Sequence, residues 1–176
     1  MHLKSEAWYV VAAEPGAKIY RGLVAGVNPE RFQVAAQNGS VEALLRSEPV
    51  EPGQCIYLPS GTVHALGGGV LVAEVQTASD TTFRIFDWGR TGRELHIHEA
   101  LACIDFTVTA PETVDFKEVA AGDGDWAMRP LVSCEHFQMH EWTALGTVPH
   151  TFVSGELSVL MVVSGSAIIT LSVIHI

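Results

Sequence analysis

Between Gly53 and Trp88 the pattern of residues has a period of two and is cut repeatedly by turn formers. CIYLP (55–59), TVHAL (62–66), VLVAEVQT (70–77) and TTFRIFDW (81–88) are runs of β-branched and apolar residues separated by Gly, Pro and Ser. Strands this short and this closely spaced pair with one another in a closed or sandwiched all-β architecture. Gly53 is followed after five residues by Pro59, then by Gly61 and His64. The glycines permit a tight connection, and Pro59 stiffens the corner. His64 then leaves the turn on a strand face shared with Thr62 and Leu66, which points inward in a small barrel. An inward histidine is either a hydrogen-bonded core residue or a ligand, and the residues alone leave both open.

The flanking chain continues the theme. AWYVVA (7–12) and AKIYRGLVA (17–25) read as strands, the second alternating only loosely. Asn28-Pro29-Glu30 opens a helix over 29–37 that stops at Asn38-Gly39. A second short helix is expected over 41–47. A third is expected over 95–105, with Leu95, Ala100, Leu101 and Ile104 inward and His96 and His98 at the surface. After a linker at 107–114, strands resume at 115–119, 127–133, 135–142, 148–153, 158–163 and 166–173. His136, Gln138 and His140 form a solvent-facing stripe, while Trp88, Trp126 and Trp142 serve as packing anchors. The division expected is a site-bearing domain over 1–106, a linker, and a partial second β domain over 115–176.

Composition narrows the function. With 48% hydrophobic and 17% charged residues in 176, the chain affords a core. A net charge of −10 disfavours nucleic acid and anionic membrane surfaces as partners. Cys55, Cys103 and Cys134 are odd in number and widely spaced, which predicts buried thiols in a reducing cytoplasm. No run has the length of a signal peptide or membrane span.

The G-x5-P-x-G-x2-H pattern resembles the second sequence motif of the cupin superfamily, where that histidine is usually a metal ligand. The longer stretches K-S-E-A-W-Y-V (4–10), E-P-G-A-K-I-Y-R-G (14–22) and Y-L-P-S-G-T-V-H-A-L through T-T-F-R-I-F-D-W-G-R (57–90) resemble type I phosphomannose isomerases in their short bacterial form. The likeness runs closely over 4–106 and more loosely over 127–170. It implies a cupin-type double-stranded β-helix, or jelly roll, with a few short helices and a partial second β-barrel half. It also implies one Zn2+ per site, with Glu6 and His64 among its ligands. Arg84 matches the family's active-site arginine, and Lys4 the lysine near the substrate. Gln76, Ser79 and Asp80 are structural or supporting. Arg84 beside Asp87 also reads as a plain ion pair.

The implied reaction interconverts mannose 6-phosphate and fructose 6-phosphate through a cis-enediol. The base is open among a zinc-bound water, neighbours of His64, Asp80 and Asp87. The family takes two further zinc ligands from an upstream Q-x-H-P motif that is absent here; Met1-His2-Leu3 stands in its place. The resemblance therefore marks an isomerase shortened at both ends, with weak or absent zinc. Its alternative is a non-catalytic cupin module that binds a sugar phosphate. An unfinished second barrel would expose the apolar strand 166–173, so a homodimer covering that edge is expected.

Overall fold

The computed structural model describes residues 4–107, 119–120, 125–147, 149–151 and 157–170. The first sheet has β1 (Glu6–Ala13) between β4 (Cys55–Leu58) and β6 (Val70–Gln76). The second has β2 (Lys18–Leu23) between β3 (Leu45–Pro49) and β5 (His64–Leu66). Every pairing in both sheets is antiparallel. Trp8, Val10, Ile56 and Leu58 of the first sheet meet Ile19 of the second in a buried cluster. These are the alternate, inward positions of their strands, so the period-two pattern builds the interior directly.

The outer face of the second sheet is covered in turn. Helix α1 (Pro29–Asn38) is capped by Asn28, whose side chain accepts the Arg31 N–H at 2.9 Å. It ends at Gly39, where φ is 78°. The helix buries Phe32, Ala35 and Ala36 against Tyr20 and Leu23 of β2. Both faces of β2 are thus occupied. That explains why its alternation is weak, and why Tyr20 and Arg21 are buried rather than solvated.

Four expectations are corrected. The 41–47 helix is a single 3-10 turn, Val41–Leu44, after which the chain becomes β3. Leu44 and Leu45 are both buried, one in each element. The run 81–88 forms no strand; its backbone bonds go elsewhere, with Arg84 O accepting the His96 N–H at 2.7 Å. The 95–105 helix contracts to α2 (Ile97–Leu101), leaving Leu95 exposed and His96 half-buried. The three cysteines are half-buried rather than fully buried, and none is joined in a disulfide.

The later half forms a third sheet in which β8 (Trp126–Ser133) lies between β7 (Val119–Ala120) and β9 (Gln138–Ala144). His136, Gln138 and His140 are exposed on it, as the alternation predicts. Residues 157–163 and 166–170 join no ladder, against expectation. The linker beyond Thr107, residues 115–118, 148, 152–153 and 171–173 lie outside the described residues. No described helix is long and apolar enough to cross a membrane.

The third sheet meets the outer face of β1. Tyr9 donates its hydroxyl to Glu141, and Arg129 grips the same carboxylate through Nε at 2.8 Å. The guanidinium also donates to the Gly53 carbonyl at 2.6 Å. Burial and the adjacent Glu141 push the Tyr9 phenol up to about 12. A phenol that holds its proton more tightly when folded adds stability below its ordinary pKa of about 10 and loses it as pH rises towards 12. Tyr9→Phe should therefore cost ~1 kcal/mol at neutral pH. It should also flatten the fall in stability between pH 10 and 12, read by urea unfolding.

Candidate functional site

The site grows from the first residue of β1. Glu6 lies opposite Leu58 on one side and Gln76 on the other, so its carboxylate enters the space between the sheets. Its side chain is 3% exposed. A buried carboxylate needs partners. One oxygen takes Lys4 Nζ at 2.7 Å, and the other faces His64 Nε2. Burial raises the proton affinity of Glu6, but His64 and Lys4 together outweigh it and hold the carboxyl down to about 2. The group is charged at neutral pH.

His64 is aimed by the turn before it. Gly61 has φ of 89°, and a side chain there would come within 3.1 Å of the Cys103 carbonyl and 3.3 Å of Asp105. Only glycine fits so close an approach. The Gly61 carbonyl accepts the Asp105 N–H at 3.0 Å, pinning the turn. Val63 and Ala65 pack on the helix-covered cluster, so His64 on the alternate face looks towards Glu6. Its ring meets Trp8 edge-on at 5.2 Å between centroids. The expected inward face is found, at a rim where the His64 side chain stays 31% exposed.

The imidazole orientation has a chemical consequence. Nδ1 lies 2.8 Å from the Thr62 carbonyl, which only accepts, so Nδ1 carries a hydrogen. A neutral ring then turns the Nε2 lone pair towards a carboxylate oxygen. Two lone pairs face each other only with a cation between them, either a proton or a metal ion. A histidine whose second nitrogen donates to a backbone carbonyl is also the usual metal-binding arrangement. One imidazole nitrogen and one carboxylate oxygen suit zinc, which takes three or four such protein ligands. Among the described residues no group of three or more His, Cys, Asp or Glu side chains gathers to hold a metal. The two donors fit, therefore, as part of a set. Met1-His2-Leu3 lies outside the described residues.

Lys4, Glu6 and His64 are thus brought together. Arg84 is half-buried on the segment leading to α2, held through its backbone by His96 on both sides. Its N–H meets His96 Nδ1 at 3.3 Å, which corrects the reading of His96 as a surface residue. Among the described residues Arg84 makes no ion pair with the other three. Nor does it pair with Asp87, whose buried carboxylate is taken by Arg93 at 2.6 Å and Arg90 at 3.4 Å. Asp87 is therefore occupied and is no candidate base. Gln76 donates to the Ser79 carbonyl at 2.9 Å, the supporting role expected for both.

Two residues enter that sequence reasoning passed over. Glu74 shares the inward face of β6 with Gln76, accepts the Trp8 indole N–H at 3.0 Å and lies 4.0 Å from Lys4. No local signal marks it; its place follows from the β1–β6 register. Arg21 lies opposite His64 in the β2–β5 register, buried and paired with Glu48 at 2.8 Å.

The chain has known counterparts. Mannose-6-phosphate isomerase ManA of Bacillus subtilis is 33% identical over 150 residues, covering 82% of this chain and 46% of the relative. The mannose-6-phosphate isomerase of Streptococcus mutans is 34% identical over 150 residues, with the same coverage. This chain is a homologue of the mannose-6-phosphate isomerases. The crystal structure of the Bacillus subtilis mannose 6-phosphate isomerase superposes with a TM-score of 0.71 at 30% identity. The match covers 80% of this chain and 45% of that one. The fold is accordingly of the cupin type, as expected. The chain spans about half the length of the curated relatives it matches. No protein-family model matches the sequence.

Because Glu6 is buried and charged, removing a partner strands it. His64→Ala should destabilise the fold by about 1–3 kcal/mol, and Lys4→Ala by less, because His64 does more than Lys4 to hold the Glu6 carboxyl down. Chemical denaturation of both variants at neutral pH checks the order.

Proposed function

We propose that this chain serves the interconversion of mannose 6-phosphate and fructose 6-phosphate, as the part of an isomerase that carries Lys4, Glu6, His64 and Arg84. The observation that carries the reading is the buried Glu6 carboxylate in direct contact with His64 Nε2, while His64 Nδ1 is held by the Thr62 carbonyl. It stands in a chain homologous over four fifths of its length to proteins named for that reaction.

In this reading Glu6 and His64 are two ligands of one Zn2+, the others coming from water or from residues outside those described. Zinc held there supplies an electrophile for the oxygens at C1 and C2 of the sugar. The chain's own cations do the rest of the binding. Lys4, at the rim between Glu6 and Glu74, offers a point charge to the substrate, and Arg84 offers a planar, always-protonated donor to phosphate or a developing oxyanion. Glu74 is the carboxylate placed to take and return the migrating proton, steadied by the Trp8 indole. The site-bearing unit is 1–106, and 115–176 forms a second, partial β unit. A cytoplasmic setting agrees with three cysteines that form no disulfide.

Metal analysis of the purified chain together with a coupled isomerase assay tests this. Zinc should be present and lost on Glu6→Ala, and Arg84→Ala should lower turnover about hundredfold. A chain that binds mannose 6-phosphate without zinc or turnover would be a binding module instead.

The partner reading concerns the later half. Leu157 is 97% and Ile168 98% exposed, within an apolar stretch that forms no strand among the described residues. We infer that a second copy covers this edge. Light scattering at high concentration should give a dimer, and a monomer there overturns it.

A further inference from the structure

The structure holds a cavity of about 520 Å³ beside β2, lined by neither Glu6 nor His64, with Lys18, Tyr20, Glu42, Leu66, Trp88 and Arg90 among its walls. Along β2, Ile19 and Arg21 face the space between the sheets, while Lys18 and Tyr20 turn the opposite way and line this cavity. Its floor is a close backbone approach. Gly67 donates to the Lys18 carbonyl at 3.0 Å, and a side chain at Gly67 would lie 2.2 Å from that oxygen.

The far wall is Trp88, the one non-glycine residue with positive φ, 46°, among those described. A bulky residue in the left-handed region is strained, and such strain gathers where a side chain must be presented in a set direction. The indole packs on Phe86 at 5.0 Å and stands 5.7 Å from the Tyr20 ring, yet remains 37% exposed. Two cations complete the walls. Lys18 lies 4.9 Å over the Tyr20 ring, and the Arg90 side chain is 65% exposed although its Nε touches Asp87. Glu42 accepts the Tyr20 hydroxyl and sits 3.8 Å from Lys18.

We propose that this cavity binds a small phosphorylated carbohydrate, at a site separate from the one built on Glu6. Its volume suits a ligand of that size. The indole offers an apolar face for one side of a sugar ring, and Glu42 accepts from ring hydroxyls. Arg90 and Lys18 meet the phosphate ester. Glu42 beside Lys18 repels a bare phosphate, and the several ring hydroxyls of a sugar phosphate, donating to Glu42, offset that repulsion.

Calorimetry on the full chain with glucose 6-phosphate tests the assignment, with inorganic phosphate and AMP as alternatives. Saturable binding should persist in His64→Ala, which breaks the Glu6 site. It should weaken about tenfold or more in Arg90→Gln, the loss expected for one charge-assisted hydrogen bond. Trp88→Leu should abolish it. If that variant does not fold, Arg90→Gln and Lys18→Gln decide, since their side chains are 65% and 46% exposed. Three results would overturn the proposal: no saturable binding, binding lost with His64→Ala but untouched by Arg90→Gln, or tighter binding of phosphate or AMP than of the sugar phosphate. Persistence in His64→Ala separates this site from the isomerase reading, which fails or stands on zinc and turnover.

Discussion

The burial of the Glu6 carboxylate is the constraint from which the pairing of the first two sheets follows. A charge at 3% exposure has to be met by opposite charge and hydrogen bonds, or the strand that carries it would not stay in place. Lys4 meets it from the same strand end, and His64 from the other sheet. The interaction therefore joins the two sheets at their rim, as Trp8, Val10 and Ile19 join them in the interior. Position and chemistry come from one fact: the groups that neutralise the carboxylate are the groups a substrate or cation would meet.

Support for His64 extends well beyond the pocket. The turn that aims it is pressed against the chain following α2 through Gly61, Cys103 and Asp105. At the other end of α2, His96 holds Arg84. A histidine and an arginine on different parts of the chain are thus indexed to one short helix. Glu74, on the neighbouring strand, is oriented by the Trp8 indole, which also packs on His64.

Much of this was legible in the sequence, for physical reasons. Period-two runs bounded by Gly and Pro give strands wherever a partner strand exists, as at β1, β4, β5 and β6. The pattern misleads where the backbone finds another partner. Residues 81–88 alternate convincingly, but Arg84 bonds to His96 instead of to a ladder. β3 was hidden because two adjacent leucines suit a helix face as well as the junction of a turn and a strand. The burial of Arg21 was not legible because β2 is covered on both sides, which erases the polar alternation that marks an outer face. Glu6 and His64 stood out by motif; Glu74 needed the β1–β6 register, which a local pattern does not contain.

β1 is committed on both of its faces. Glu6 and Trp8 point between the sheets, while Tyr9, from the opposite face, reaches Glu141 of the third sheet. A slip of one residue would send every side chain to the wrong side. In this strand it would eject the buried carboxylate from the rim and bury a tyrosine in its stead, while also cutting the tie to the later half. Two independent checks on one register make the strand self-proofreading: the chain completes its attachment to the third sheet only when the carboxylate is already in place.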